Sequence, residues 1–257
     1  MRIILSRHAR SLGQAHSGNY AKYGDSRVPL DPGHAHLAIK CGEFLSEYFN
    51  QTATKKWPLV WTSQFTRAQQ TWGGYRQGIG DYFGAAQPTW HIDPRLNEQS
   101  FGALPYLDDI KNPMRRFLAK SFAKVSQALY VNDPFSSSPL MGEAPRQTLI
   151  NVQNFIDGSF TRDAVEGIDD VLIISHGAVM KAFIMNWFHL YDLDTWKALD
   201  TPGNCDVYVI EGEPKDWSVR KIYDGETATG LLDNPINPIA HITKPTDFNP
   251  PPLILPQ

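Results

Sequence analysis

The sequence predicts an α/β protein in which helices cover both faces of a mainly parallel central sheet. Short runs rich in β-branched residues alternate along the chain with longer segments of helical periodicity. This alternation favours parallel strands joined by crossover helices, because helices on both faces bury the apolar strands between them. Ligands of such sheets bind beyond the carboxyl ends of the strands. The residues that follow each strand are therefore the first candidates for a functional site.

Four segments are the clearest strands, and a fifth is shorter. The clear strands lie at 2–5, 58–63, 170–175 and 206–211, and the sequence WHID at 90–93 indicates a short one.

Helical spacing of apolar residues defines the segments between these strands. One helix is predicted over 37–49, with Asp31 and Pro32 supplying an N-cap and a first-turn signal. A second is predicted over 143–162, and an apolar helix opens at Gly177.

The stretch 101–142 interrupts the alternation of strands and helices. It contains a predicted helix near 113–130 followed by a loop rich in serine and proline. We interpret it as a helical insertion that forms a lid over the site of a single domain spanning 1–257. From residue 224 onward the chain is rich in proline and asparagine, which indicates an irregular C-terminal tail over 224–257.

Composition argues against several classes of function. The formal net charge is −3 over 257 residues, so no overall basic surface attracts nucleic acid or an anionic membrane, and we expect neither as a partner. No apolar run approaches the roughly 20 residues of a membrane-spanning helix. Two cysteines, Cys41 and Cys205, are too few for a disulfide framework. With no signal-peptide pattern before the first strand, we expect a cytoplasmic protein with reduced thiols.

Charged residues and histidines follow several of the predicted strands and converge on one end of the sheet. They are Arg7, His8, Arg67, Glu98 and His176. A neutral imidazole is a competent nucleophile near neutral pH, and arginine forks bind phosphate oxygens and stabilise the charge of a phosphoryl group in transfer. The backbone amides at the helix opening by Gly177 favour an anion. A partly protonated Glu98 carboxyl can supply the proton that a leaving alkoxide needs. The set is therefore typical of phosphoryl transfer to histidine.

The same segments resemble the four signature blocks of the histidine phosphatase superfamily, in the branch that includes the phosphoglycerate mutases and many small phosphatases. The segments are, in chain order, SRHARS, TSQFTRAQQT, RLNEQSFGAL and ISHGAVMKAFI. Each block alone is weak, but four in the right order form a specific match. A later segment, which contains Asn204, also resembles the equivalent region of that branch.

The resemblance implies a three-layer α/β/α fold and a set of roles for the site residues. It implies a phosphohistidine intermediate on His8, phosphate binding by Arg7, Arg67 and His176, and Glu98 as proton donor. It implies no metal and no cofactor.

Two positions depart from the pattern of that family. The first block usually reads Arg-His-Gly, whereas this chain has Ala9 in place of the glycine. The substitution costs about 1 kcal/mol if the position needs a positive φ, and otherwise only narrows the pocket. Gln14 stands where the family often has a phosphate-binding asparagine, and its amide keeps the donor on a longer side chain. Ser11 matches the family, so Ser11 and Gln14 join Gly177 as predicted substrate-binding residues.

The sequence therefore favours a metal-independent phosphomonoesterase that acts on a small phosphorylated metabolite. A phosphoglycerate-mutase-type phosphoryl transfer and a catalytically weakened phosphate-binding protein are the alternatives. A homodimer is left open, because the scattered aromatic residues suit either a core or an interface.

Two further groups of residues have competing interpretations. His34 and His36 invite a metal, but no third and fourth ligands stand at a usual spacing, so we predict no metal site. Arg115, Arg116 and Lys120 on the inserted helix form either a solvated face or a contact to a second anionic group of the substrate.

Overall fold

One seven-stranded sheet forms the centre of the computed structural model, which describes residues 1–133, 137–165, 167–213 and 216–242. The strands are β1 (Arg2–Arg7), β2 (Leu59–Thr62), β3 (Trp90–Ile92), β4 (Asp170–Ser175), β5 (Val207–Glu213), β6 (Asp216–Asp224) and β7 (Thr229–Gly230). Their order across the sheet is β3-β2-β4-β1-β5-β6-β7. The first four strands in this order pair in parallel, and β5, β6 and β7 add antiparallel pairs at the other edge.

The connections between the strands carry the helices. The α-helices are α1 (Leu12–Ala15), α2 (Gly18–Tyr23), α3 (His36–Gln51), α4 (Thr66–Ile79), α5 (Pro113–Asn132), α6 (Pro145–Phe155), α7 (Thr161–Val165), α8 (Gly177–Trp187) and α9 (Leu193–Ala198). Short 3₁₀ helices span Asp25–Arg27, Pro94–Leu96 and Leu104–Asp109, and a π-helical turn at Ile156–Phe160 joins α6 to α7. Among the described residues, no helix combines the length and the apolar character needed to cross a bilayer.

Two separate hydrophobic cores cover the two faces of the sheet. Ile3 and Leu5 of β1 pack in the core that holds the buried residues of α6 and α8. Ile4, between them, packs on the opposite face with the buried residues of α3 and α4. This alternation follows from the period of two along a strand. It confirms the predicted α/β class and its arrangement as helix layer, sheet and helix layer.

The register of the parallel strands places the ends of β1 and β4 side by side. Arg7 is paired with Ser175, and the amide of His8 donates to the carbonyl of Ser175 at 2.9 Å. The amide of Ser63, just after β2, donates to the carbonyl of Ile174 at 3.2 Å. The carboxyl ends of β1, β2 and β4 therefore open onto one edge, as parallel pairing requires.

The structure differs from the predicted elements at the start of α3 and in the antiparallel part of the sheet. Asp31 forms a turn instead of capping α3: its carboxylate accepts from the amide of Gly33 at 3.0 Å and contacts the His34 ring at 2.8 Å. The helix begins five residues later, at His36. β6 lies outside the predicted strands, although exposed Ser218 and Arg220 alternate there with buried Val219.

The proposed insertion and tail are described in part. Within 101–142, the described residues form the 3₁₀ helix Leu104–Asp109, helix α5 and connecting loops, and residues 134–136 lie outside the described residues. Within 224–257, β7 pairs with β6, and Ile236 forms an isolated bridge with Lys221. Residues 243–257 lie outside the described residues.

Close packing of α3 on α4 yields a stability prediction with an internal control. A Cβ at Gly78 of α4 would lie 2.7 Å from the Glu43 amide nitrogen and 2.8 Å from the Gly42 Cα, and would also meet the carbonyl of Ile39. A Cβ at Gly73 of the same helix would meet nothing within 4 Å. We therefore expect Gly78→Ala to lower the free energy of unfolding by about 1–3 kcal/mol through overpacking.

The matched variant Gly73→Ala should raise the free energy of unfolding by about 0.4–1 kcal/mol, because it restricts only the unfolded chain. Urea unfolding of both variants measures the difference. Equal effects of the two substitutions would contradict the close α3–α4 contact.

Candidate active site

His8 lies at the carboxyl end of β1 with its side chain held in one orientation. Its Nδ1 is 2.7 Å from the carbonyl oxygen of Ala9, and Arg67 Nε donates to His8 Nε2 at 3.3 Å. Nδ1 therefore carries the proton, and Nε2 presents a lone pair. The side chain is buried, and this burial together with the charges of Arg67 and Arg7 lowers the pKa of His8 well below 6.5. The imidazole is thus neutral, as a nucleophile must be.

Arg67 is held beside His8 by contacts from the first turns of the chain. Its Nη1 donates to the backbone carbonyl of Asp25 at 2.7 Å and to the Asp25 carboxylate at 2.9 Å. The guanidinium also lies over the ring of Phe65, with Cζ 4.6 Å from the ring centroid. Arg67 is buried, and these contacts supply the partners that a buried guanidinium needs. They fix its direction relative to the His8 ring.

His176 follows β4 and occupies the N-cap position of α8, with no exposed surface. Its ring centroid is 5.0 Å from that of His8, and the two rings meet edge to face. Nε2 is 2.8 Å from Ser63 Oγ, whereas the buried Nδ1 has no hydrogen-bond partner among the described residues. Burial, assisted by the charge of Arg67, lowers the pKa of His176 well below 6.5, so this ring is neutral too.

Arg7 is anchored at one end and leaves a second buried nitrogen without a partner. Its Nη1 donates to the carbonyl of Pro202 at 2.6 Å. Its Nε is buried and has no hydrogen-bond partner in the described part of the chain. A Cβ at Gly177, the first residue of α8, would lie 3.6 Å from this Nε. The unpaired nitrogen therefore lies beside the N-terminus of α8.

Glu98 follows the 3₁₀ turn Pro94–Leu96 and approaches His176 from the loop after β3. Its Oε2 is 3.9 Å from His176 Nδ1, and its Oε1 accepts from the Gln99 amide at 3.2 Å. Burial raises the pKa of Glu98, and the nearby charges of Arg7 and Arg67 oppose that rise without cancelling it. The Glu98 carboxyl therefore keeps its proton to higher pH than an exposed glutamate carboxyl does.

Ser11 and Gln14 lie at the start of α1, where they form a reciprocal capping box. Ser11 Oγ accepts from the Gln14 amide at 3.3 Å, and Gln14 Oε1 accepts from the Ser11 amide at 2.9 Å. The Gln14 side-chain nitrogen also lies 3.2 Å from Asn204 Oδ1. Both polar groups are thus engaged with protein atoms. Their roles as phosphate ligands, like those of Gly177 and the other site residues, stay predictions.

Three side chains that the sequence analysis gave no role hold the predicted site residues in place. Ser63 contacts the His176 ring, Asp25 binds Arg67, and Asn204 Nδ2 donates to the carbonyl of His8 at 2.9 Å. Ser63 directly follows β2, so the rule that places sites after strands could have found it. Asn204 lies in the later segment whose resemblance to the family is noted above, so that resemblance could have found it. Asp25 carries no sequence signal, because its position depends on how the 18–27 segment folds back onto α4.

Ala9 is accommodated without backbone strain. It lies outside the left-handed region, its side chain is fully buried in the core shared with α3 and α4, and its amide donates to Thr71 Oγ1 at 2.9 Å. Thr71 in turn donates to the carbonyl of Arg67 at 2.7 Å. The position therefore does not need glycine, and the alanine methyl adds core contacts.

Comparison with protein families matches most of the chain to one family. The model of the histidine phosphatase superfamily (branch 1) covers residues 3–225. Among curated proteins, the phosphoglycerate mutase-like protein AT74 of Arabidopsis thaliana is 23% identical over 224 residues, which cover 85% of this chain and 67% of that protein. The related AT74H is 23% identical over 226 residues, covering 82% and 73% respectively.

Solved structures share the fold at low sequence identity. The alpha-ribazole phosphatase of Shigella flexneri is 21% identical, with a TM-score of 0.60 over 86% of this chain and 95% of that chain. A phosphoglycerate mutase of Bacillus anthracis is 18% identical, with a TM-score of 0.58 over 89% and 95%. A mycobacterial glucosyl-3-phosphoglycerate phosphatase is 17% identical, with a TM-score of 0.56 over 85% and 96%. These likenesses show the fold.

The environment of Ala9 predicts the outcome of restoring glycine. We expect Ala9→Gly to lower the free energy of unfolding by about 0.5–1 kcal/mol, because it frees the unfolded backbone and removes a buried methyl group. It should leave the affinity for inorganic phosphate unchanged, since the backbone conformation already suits alanine. Urea unfolding and calorimetric titration with phosphate measure the two effects. A clear gain in phosphate affinity would show that the methyl group obstructs the site.

Proposed function

Because this chain belongs to the histidine phosphatase superfamily (branch 1), we propose that it is a metal-independent phosphomonoesterase that acts through a phosphohistidine on His8. The proposal is carried by one observation. Beside the neutral His8 ring, two buried nitrogen atoms, Arg7 Nε and His176 Nδ1, have no hydrogen-bond partner among the residues that the structure describes. Buried polar groups are almost always hydrogen-bonded, and each exception calls for a ligand or another explanation. An anion bound between them and the N-terminus of α8 supplies both missing acceptors.

A phosphoryl group fits this anion best because of where the nucleophile lies. In the resting state, Arg67 Nε donates to His8 Nε2 at 3.3 Å. A phosphate oxygen is a stronger acceptor for a guanidinium than an imidazole nitrogen. An arriving phosphoryl group therefore takes over the Arg67 donor and frees the His8 lone pair next to the phosphorus atom.

In the first half of the reaction, His8 Nε2 attacks phosphorus and the bond from phosphorus to the ester oxygen breaks. Glu98 donates its proton to the departing oxygen, so an alcohol leaves and the Glu98 carboxylate remains. Arg7, Arg67 and His176 stabilise the charge on the three phosphoryl oxygens, which is electrostatic preorganisation. The fixed Nδ1 contact to the Ala9 carbonyl stabilises the positive charge that develops on the His8 ring.

In the second half, water hydrolyses the phosphohistidine. The Glu98 carboxylate takes a proton from the water as its oxygen attacks phosphorus, and the nitrogen–phosphorus bond breaks. The products are inorganic phosphate, neutral His8 and protonated Glu98. The cycle therefore restores every group without a metal ion.

One charge near the site favours hydrolysis over mutase chemistry. The Asp25 carboxylate accepts from Arg67 Nη1 at 2.9 Å and so places a negative charge beside an arginine that is expected to bind the phosphoryl group. A mutase must hold a substrate that carries a second anionic group there, and like charges disfavour that. This supports a phosphomonoester of an uncharged alcohol as substrate.

Removal of the nucleophile should abolish turnover. We expect His8→Ala to lower phosphate release from glycerol 3-phosphate by at least about a thousandfold, because no other described side chain occupies the position of attack. The assay contains a chelator, and alkaline quenching of the parent enzyme with labelled substrate should trap a phosphoenzyme that is stable to base and labile to acid.

His36→Ala, at an exposed position on α3, is the matched control. It should leave both the rate of phosphate release and the amount of trapped phosphoenzyme unchanged. Turnover by His8→Ala at the parent rate would disprove the mechanism. With 3-phosphoglycerate as a second substrate, its isomerisation without release of free phosphate would identify a mutase. Phosphate binding without any product from either substrate would identify a binding protein.

The role of Glu98 predicts a dependence on the leaving group. We expect Glu98→Gln to slow hydrolysis of glycerol 3-phosphate about 10²–10⁴-fold, since an alkoxide needs a proton to leave. Hydrolysis of p-nitrophenyl phosphate should slow far less in the phosphorylation step, because nitrophenolate leaves without one. Single-turnover rates measure that step for both substrates, and Glu43→Gln at an exposed position is the control.

The pH dependence of kcat/KM tests proton donation by Glu98 independently. Burial raises the pKa of Glu98, so its proton-donating form persists to higher pH than in an exposed glutamate and is lost as pH rises through that pKa. The profile of kcat/KM for glycerol 3-phosphate should lose this alkaline limb in Glu98→Gln, while ionisation of the substrate affects both proteins equally. An unchanged limb would assign proton donation to another group.

A further inference from the structure

Helix α5 exposes an unusual amount of apolar surface. Its 20 residues include seven large apolar side chains that are roughly half or more exposed. They are Met114 (68% exposed), Phe117 (67%), Leu118 (48%), Phe122 (66%), Val125 (61%), Leu129 (57%) and Val131 (60%). Contiguous apolar surface of this kind marks a site of interaction with a membrane or a partner.

The seven side chains share one side of the helix. At about 100° per residue they occupy roughly half of its circumference, as residues spaced three and four apart do. The other side faces the protein: Ala123 is buried, Arg116 Nε donates to the carbonyl of Ile110 at 2.7 Å, and Tyr130 Oη accepts from Gln99 Nε2 at 3.3 Å. The apolar side is therefore directed away from the sheet.

Every charged residue of α5 is a cation. The helix carries Arg115, Arg116, Lys120 and Lys124 and no aspartate or glutamate, in a chain whose net charge is −3. At the same helical spacing, Arg115 lies at one edge of the apolar side, and Lys120 and Lys124 lie at the other. Three of these cations, all but Arg116, are exposed. The apolar side is thus bordered by positive charge along both edges.

We propose that α5 docks on an anionic lipid surface, with its apolar side at the boundary between headgroups and acyl chains. A helix with aromatic and aliphatic residues on one side and lysine and arginine at its edges matches the interfacial class of amphipathic helices. Its long cationic side chains extend toward anionic headgroups while their methylenes stay on the apolar surface. The charge of the whole chain, which argues against a membrane partner, conceals this local pattern.

A second copy of the chain fits this surface less well. Packing one apolar side of α5 against another brings the bordering cations of both helices together, and α5 holds no carboxylate to neutralise them. Like charges in contact oppose such an interface. Anionic headgroups instead supply the complementary charge over the whole length of the helix.

Vesicle binding by the full chain tests the proposal. We expect the protein to co-sediment with vesicles of phosphatidylcholine and phosphatidylglycerol, and at least tenfold less with phosphatidylcholine alone. Lys120→Glu with Lys124→Glu should weaken binding to the anionic vesicles by well over tenfold, because each cation near the surface contributes about fivefold to affinity. Phe122→Ser should weaken it as well. The matched controls are Lys55→Glu with Lys56→Glu, and Ile150→Ser, at exposed positions away from α5.

Each other outcome counts against the proposal. No sedimentation with either vesicle, or equal loss in the control variants, overturns it. A dimer in solution that Phe122→Ser dissociates, without vesicle binding, assigns the surface to a second copy. Binding that appears only after deletion of 243–257 assigns the surface in the intact chain to its own tail. Because binding needs no catalysis, its result is independent of the proposed phosphatase activity.

Discussion

The parallel pairing of β1 with β4 is the constraint on which the rest of the site depends. The pairing continues one residue past the strands, where the amide of His8 donates to the carbonyl of Ser175 at 2.9 Å. His8 and His176 consequently leave the sheet side by side, with ring centroids 5.0 Å apart. A slip of one residue would turn every side chain of β1 to the opposite face. The two cores, one on each face of β1, therefore set the register of this strand. The register in turn sets the distance between the two histidines.

This arrangement concentrates unfavourable electrostatics at one edge of the sheet. Arg7 and Arg67 are placed close together with two neutral histidines, and only part of their hydrogen-bonding capacity is satisfied by the carbonyl of Pro202 and by Asp25. Buried polar groups without partners reduce the stability of the folded protein unless a ligand binds to them. Proteins retain such groups mainly at functional sites. The two buried cores, which hold the strands behind the site, compensate for this local cost.

The sequence allowed most of the site to be predicted because its members follow strands and carry chemistry in their side chains. Arg7, His8, Arg67, Glu98 and His176 were predicted in this way. The structure connects four of them through successive pairs: Arg67 Nε lies 3.3 Å from His8 Nε2, the ring centroids of His8 and His176 are 5.0 Å apart, and His176 Nδ1 lies 3.9 Å from Glu98 Oε2. Residues that act on the site only through tertiary contacts cannot be predicted from their position after a strand. Asp25 reaches Arg67 only because the segment 18–27 folds back, and nothing in its local spacing indicates that.

The same reasoning explains the errors in the predicted elements. Asp31 followed by proline is a strong local signal for a helix N-terminus. The carboxylate instead bonds to Gly33 and His34, so the turn competes with the helix for the same side chain. The antiparallel strand β6 is half exposed and carries alternating polar residues, so its apolar content is low although its period is that of a strand.

In the proposed reaction, the segment 101–142 affects Glu98 through the packing that excludes solvent from it. The pKa of Glu98 is raised chiefly by burial. The side-chain nitrogen of the next residue, Gln99, donates to Tyr130 of α5 at 3.3 Å and to the carbonyl of Glu143, just after the segment 101–142, at 2.7 Å. The burial that raises the pKa of Glu98 is thus provided partly by residues beyond the sheet. Sheet register positions His8 and Arg7, whereas packing beyond the sheet contributes to the raised pKa of Glu98. The two requirements of the proposed reaction therefore rest on separate parts of the chain, which can vary independently.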